Sequence, residues 1–264
     1  MIDFKKKLGL KSIEKKVNPI EIYDSLDRRS ETGPLRPIQK EVLEEWWKNR
    51  KDDKDNILKL HTGQGKTLIG LLILQSKLNN KKGPCLYVCP NKYLVEQTRQ
   101  QADRFGVKHT SIGKDNSLPD EFLNSEKILI THVQKVFNGK SIFGIGGKST
   151  KVNTILLDDS HACIDSMSES FKIKVEKEHD LYKKLIQLFE DDLKDQGEGT
   201  FLEIQDKESE STDFLSVPYW SWQDKKSEVL EIIYKNNKDN AVKFAWPLLK
   251  DSIENCQCFL VVNH

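Results

Sequence analysis

The chain has 264 residues, 37% of them hydrophobic, which is enough for one large or two modest domains with a real core. Its 42 basic and 41 acidic side chains nearly cancel, to +1, so bulk charge gives no ground for nucleic-acid binding and any such contact has to be local. The longest apolar run, Leu68 to Leu74, falls far short of the ~20 residues that span a bilayer, and the N-terminus lacks a secretory hydrophobic stretch.

The five cysteines form no C-x-x-C pair and have no histidine at zinc spacing. A cytoplasmic chain with reduced thiols and no membrane partner is therefore expected. Lys5-Lys6-Lys7, Lys15-Lys16 and the acidic stretch from Glu190 to Asp213 read as solvated surface.

In chain order, Asn18 before Pro19 predicts a capped helix running through Ile20, Ile22, Tyr23 and Leu26, within an N-terminal helical extension over residues 1–32. Ile38, Val42, Leu43 and Trp46 have helical spacing, and the apolar segment Asn56 to Leu60 reads as a strand. Further strands are expected at Cys85–Cys89, Lys127–Ile130 and Asn153–Leu157, with a helix through Leu94, Thr98, Ala102 and Phe105 between the first two. This alternation predicts an α/β fold, a mostly parallel sheet flanked by helices, with ligands at the carboxyl ends of the strands. From about Asp165 the rhythm gives way to helical text over Glu178–Lys194, a polar loop over Gln196–Asp213 and the aromatic cluster Val217 to Trp222. Cys258 to Val262 has the pattern of a buried strand, an odd place for a chain to stop, which suggests the first lobe of a longer protein.

His61-Thr62-Gly63-Gln64-Gly65-Lys66-Thr67 lies between the expected strand at 56–60 and the apolar run that begins at Leu68. A glycine turn opening into a helix aims backbone N–H groups and the positive end of the helix dipole at one point, which suits a polyphosphate. Thr62, Gly63, Gln64 and Gly65 form the cradle. Lys66 supplies a point charge to the outer phosphates, and the Thr67 hydroxyl is a Mg²⁺ ligand. A nucleotide hydrolase also needs an acid at a neighbouring strand tip. Thr154 to Leu157 followed by Asp158-Asp159-Ser160-His161 provides one, with Asp158 as the second metal ligand and Asp159 placed to orient water.

These segments resemble superfamily 2 helicases of the DEAD/DEAH-like kind. His61 to Thr67 is similar to their first motif, and Asp158 to His161 to their D-E-x-D/H box. Leu35-Arg36-Pro37-Ile38-Gln39 resembles the segment that reads adenine, which implies a base contact for Gln39. Val88 to Gln97 and Ile130 to Lys135 resemble segments that touch the nucleic-acid backbone, which implies contacts from Pro90, Asn91, Gln97 and Thr131. The resemblance covers roughly residues 34–164 and implies a P-loop NTPase of RecA-like fold. The helicase ATP-binding domain would run over residues 33–264, with a helical insertion at 165–255 after the box. It further implies ATP and Mg²⁺ as cofactors, DNA or RNA as partner, a catalytic set of Lys66, Asp158, Asp159 and His161, and a second RecA-like lobe in the full-length chain.

Ordinary structural roles exist for several of these residues: Gln39 on a solvated helix, Pro90 and Asn91 starting one, Thr131 capping one, His161 in a turn. Tyr219, Trp220 and Trp222 fit a small aromatic core or a platform for unpaired bases. Asp159 stands where these enzymes usually carry Glu, which draws the carboxylate back by roughly an ångström and weakens water positioning. The second lobe's arginine, worth ~10³ or more in rate, is not in this sequence. The expected activity is ATP hydrolysis coupled to movement on nucleic acid, weak without the second lobe. The alternative is a nucleotide-gated binding module with little turnover. A small-molecule kinase accounts for the glycine loop but leaves Asp158 to His161 unexplained.

Overall fold

The computed structural model describes residues 15–205 and 214–261. Lys5 to Lys7 and the rest of residues 1–14 of the expected N-terminal extension lie outside the described residues, as do positions 206–213 of the acidic stretch and Val262. The chain divides into two compact units, Met1–Val136 with Ile142–Ser166, and Phe137–Ser141 with Met167–His264.

In the first unit, helix α1 (Pro19–Ser25) begins as the sequence predicts, with Asn18 Oδ1 accepting from the Ile20 amide at 3.0 Å. Its Ile22 and Tyr23 pack against Leu43 of α2 (Pro37–Glu45) and against Leu68, Ile69 and Leu72 of α3 (Lys66–Asn79). Helix α2 runs on into a π-helical turn, Trp46–Arg50.

The sheet consists of β1 (Cys85–Cys89), β2 (His109–Thr110), β3 (Ile128–His132) and β4 (Thr154–Leu157). All pairings are parallel, in the order β2-β3-β1-β4. Strand β1 is buried along its whole length, as a central parallel strand covered on both faces requires. One face of the sheet presents Cys85, Tyr87, Cys89, Ile128 and Ile130 to Leu71, Leu74 and Leu78 of α3 and to Val95 and Ala102 of α4 (Lys92–Phe105). Short helices α5 (Asp120–Leu123) and α6 (Val133–Val136) precede and follow β3, and α7 (Ser160–Glu169) follows β4. This is the parallel RecA-like α/β arrangement that the sequence implies.

Three expectations are corrected. Residues 56–60 are not a strand: the segment joins no sheet, and Ile57 is 98% exposed. A strand needs a ladder partner, and the sheet ends at β4 with no neighbour beyond it among the described residues. The expected polar loop is helical as far as Gln205, because α8 (Asp180–Gln205) continues through an extended residue at Gly197 and buries Phe201 and Ile204. The expected buried strand near the end is β6 (Phe259–Val261), which instead pairs antiparallel with β5 (Phe214–Ser216) and leaves Phe259 and Val261 half exposed.

The second unit has its own core. Phe189 of α8 stacks on Trp222 of α9 (Tyr219–Asp224), with ring centroids 5.9 Å apart. Val229 and Ile233 of α10 (Lys226–Lys235), Trp246 of α11 (Trp246–Leu249) and Leu260 complete the cluster. The Trp222 indole donates to the Ile253 carbonyl at 2.9 Å, which satisfies its buried N–H. The aromatic cluster therefore divides: Trp222 is core, while Trp220 is 67% exposed.

Candidate nucleotide site and cationic cavity

The loop at 61–65 is shaped by two glycines in the left-handed region, Gly63 at φ +83° and Gly65 at φ +82°. Gly65 is the N-cap of α3 and provides no side-chain cap, so the first-turn N–H groups are left for another acceptor. Lys66, the first helical residue, is exposed, as are Thr62 and Gly63, whereas Gln64 and Thr67 are half-buried.

Helix α2 braces this loop from one side. The buried Gln39 accepts from the Arg36 amide at 2.9 Å through Oε1 and donates to the Gln64 carbonyl at 3.1 Å through Nε2. Arg36 Nη1 donates to the Gly63 carbonyl at 2.7 Å. A Cβ on Gly65 would lie 2.1 Å from Gln39 Nε2, so the bare α-carbon is what lets the amide reach the loop. Gln39 thus braces the glycine loop through both ends of its amide.

From the other side comes the tip of β4. The Asp158 amide donates to the Val88 carbonyl of β1 at 2.9 Å, and Cys163 Sγ donates to the Asp158 carbonyl at 3.2 Å. Tyr87, only 1% exposed, lies close enough to both Thr67 and Asp158 for its hydroxyl to be influenced by them. Burial pushes the Asp158 carboxyl above its usual range, against the opposing pull of the Tyr87 hydroxyl and the Lys66 charge. Burial, and then the nearby Asp158 charge, push the Tyr87 phenol well above its ordinary value. Lys66, Thr67 and Asp158 therefore share one locality. Asp159 is exposed at φ +50° and accepts from the Cys163 amide at 3.0 Å through its carbonyl, while His161 is exposed in the first turn of α7.

The Thr67 hydroxyl and the Asp158 carboxylate are hard oxygen donors in one locality, a set that fits a Mg²⁺ ion keeping most of its waters. No group of three or more His, Cys, Asp or Glu able to hold a metal ion occurs among the described residues.

At the carboxyl ends of β1 and β3 lies a cavity of about 250 Å³, lined by Lys92, Val95, Arg99, Thr131, His132 and Lys135 among others. Burial, and then the charges of Lys92 and Lys135, lower the His132 pKa, as expected where cations converge. Arg99 pairs with Glu96 through Nη1 at 3.5 Å, while its Nε is buried without a hydrogen-bond partner among the described residues. Of the expected nucleic-acid contacts, Thr131 lines this cavity, while Asn91 and Gln97 are exposed outside its lining. Asn91 Oδ1 caps α4 by accepting from the Leu94 amide at 3.0 Å. Pro90, which follows β1, is buried. Lys92, Arg99, His132, Lys135 and Tyr87 were not singled out by the sequence reading. Lys92 and Arg99, seven apart on one helix, carried a readable signal of a shared face. Tyr87, inside a five-residue apolar strand, carried none.

The family model described as Type III restriction enzyme, res subunit, matches residues 32–194, more than half of the chain. No curated protein and no solved structure matches it. No helix among the described residues is long and apolar enough to cross a membrane.

Proposed function

Since the chain belongs to the family of type III restriction enzyme res subunits, its matched region being the N-terminal lobe of a superfamily 2 helicase, we propose that it binds ATP with Mg²⁺ and couples hydrolysis to movement on, or remodelling of, DNA or RNA in restriction or phage defence. The observation that carries this reading is that α3, which begins Lys66-Thr67, packs its Gly70 against Leu156 of β4, with Lys66 close enough to the strand's tip to act on Asp158. In this reading the uncapped turn of α3 and Lys66 bind phosphate oxygens, and the Arg36–Gln39 brace holds the loop in its open curl for them. Thr67 and Asp158 would hold Mg²⁺, which when bound neutralises phosphate charge. Asp159 accepts the proton side of an attacking water, and His161 relays the state of the site to a second RecA-like lobe that supplies the missing arginine. The cationic cavity beside Thr131 takes backbone phosphates, and residues 165–255 act as a helical insertion in the 33–264 domain.

A second reading, a nucleotide-gated binding module with little turnover, is favoured by the short, solvent-exposed carboxylate of Asp159. Two measurements test the proposal. Lys66→Ala lowers ATP affinity; equal affinity refutes the loop assignment. Single- or double-stranded nucleic acid stimulates hydrolysis by the full-length protein; a rate indifferent to both favours the binding module.

A further inference from the structure

The cavity at the carboxyl ends of β1 and β3 holds an acid among its cations: Lys92, Arg99 and Lys135 line it, and so does Glu96. Lys92, Glu96 and Arg99 share one face of α4, at spacings of four and three residues, so the helix itself brings a negative charge into a positive pocket. A carboxylate fixed about 4 Å from a bound phosphate costs about fivefold in affinity even at the dielectric constant of water. In a pocket that takes phosphates, Glu96 therefore calls for an explanation.

Its pairing supplies one. Glu96 Oε2 lies 3.5 Å from Arg99 Nη1, while Gln100 Nε2 donates to the other carboxylate oxygen at 3.4 Å. The ion pair is loose, longer than the ~2.7–2.9 Å of a charge-assisted hydrogen bond. It also stands partly in water, the Glu96 side chain being 60% exposed against 27% for Arg99. An exposed pair of this kind shifts an equilibrium by about fivefold at most. Arg99 Nε is buried with no hydrogen-bond partner among the described residues, so the guanidinium keeps an unsatisfied donor beside its loosely held counter-ion. A phosphodiester offers such a fork two oxygens at once, a stronger partner than one distant carboxylate oxygen.

We propose that Glu96 is a resident counter-ion: it occupies Arg99 in the free protein and gives way to a backbone phosphate of a nucleic-acid strand, which sets a threshold on binding. In this role, which rests on the reading of the cavity as a phosphate site, Glu96 is a positioning residue that acts through Arg99. The exchange favours a strand over a lone anion. A ligand that reaches Lys92 and Lys135 as well offsets the broken pair, whereas an anion at Arg99 alone gains one contact for the one it breaks.

The test follows binding of a fluorescein-labelled single-stranded oligothymidylate to the full-length protein by fluorescence anisotropy. Glu96→Gln is expected to bind about 3- to 10-fold more tightly, a gain that a damaged fold does not produce. Glu96→Ala, with the same expected gain, serves if the glutamine variant folds poorly. Lys92→Gln and Arg99→Gln are expected to weaken binding, and in the Arg99→Gln background the gain from Glu96→Gln should shrink below ~2-fold. Glu126→Gln removes the same charge at the far end of β3, five strand residues away from the cavity. Its effect should stay below ~2-fold in ~0.1 M salt, where screening sets in within ~10 Å. If Lys92→Gln and Arg99→Gln weaken binding while the Glu96 variants leave it unchanged or weaker, the proposal is overturned and the phosphate site stands. A gain that persists undiminished in Arg99→Gln, or that Glu126→Gln matches, reduces Glu96 to bulk charge and also overturns it. If neither Lys92→Gln nor Arg99→Gln weakens binding, the cavity is not a phosphate site and both readings fall. Polyglutamate should compete poorly beside an unlabelled strand; equal competition assigns the cavity to an acidic protein partner and overturns the proposal.

Discussion

Gly65 and Gln39 form a pair whose coupling can be worked out from the geometry. Replacing Gly65 by alanine places an L-residue at φ +82°, at a cost of about 1–2 kcal/mol. It also pushes the Gln39 amide out of position, because the new Cβ would lie 2.1 Å from Nε2. That displacement breaks the bonds to the Arg36 amide and the Gln64 carbonyl, each worth about 1 kcal/mol, for a total near ~3–4 kcal/mol. Gln39→Ala loses the same two bonds, about 2 kcal/mol. In the double variant the bonds are lost once rather than twice, so its cost falls short of the sum of the singles by about 2 kcal/mol. Urea unfolding of the two singles, the double and the parent, followed by circular dichroism, measures this coupling. Additive costs within ~0.5 kcal/mol would refute the claim that Gln39 is what Gly65 makes room for.

Asp159→Glu is expected to keep or raise ATP turnover by lengthening the carboxylate, yet to melt below the parent, because glutamate tolerates φ +50° less well than aspartate; a large loss of turnover would mean that the backbone suits only the shorter acid. Burial holds the Cys85 and Cys89 thiols up at about 12, so neither reacts with iodoacetamide at pH 8 until urea opens the first unit; rapid alkylation of the native protein contradicts their placement. Lys225 and Ser221 hydrogen-bond Asp192 and hold its carboxyl below the usual range. The stabilisation is therefore present above pH ~4 and lost as pH falls through the depressed value. Asp192→Asn should cost about 1–2 kcal/mol at neutral pH and flatten the acid limb of the stability profile below pH ~4; an unchanged acid limb removes this ion pair from the account.

What the sequence made legible follows from local rules. Asn18-Pro19 encodes its own cap, and the glycines at 63 and 65 encode a turn that few other residues adopt. The apolar runs expected as strands at 85–89, 127–130 and 153–157 were enough to locate three sheet strands, observed at 85–89, 128–132 and 154–157. Non-local matters escaped. Residues 56–60 have strand composition, but pairing depends on a neighbour that the segment's own residues cannot specify. Residues 196–205 read as part of a polar loop from the Ser, Glu and Asp content of 196–213, yet tertiary burial of Phe201 and Ile204 carries the helix through them. At the site, the glycine loop and paired acids announce themselves by spacing. The nearness of Tyr87 to Thr67 and Asp158 and the burial of Pro90 are invisible until the fold is known.

The acid assigned to the ion stands at the tip of the sheet's outermost strand. Ladder bonds grip β4 along one flank alone, and Ile155 turns 47% of its surface to water on that border. A ribbon fastened on one side frays at lower cost than one fastened on both. In deuterium exchange β4 should therefore exchange ahead of β1, its twice-paired neighbour, and ligand binding at its tip should slow that exchange. The stiffness of the sheet's border then becomes a reporter of site occupancy, read from amides that never touch the ligand.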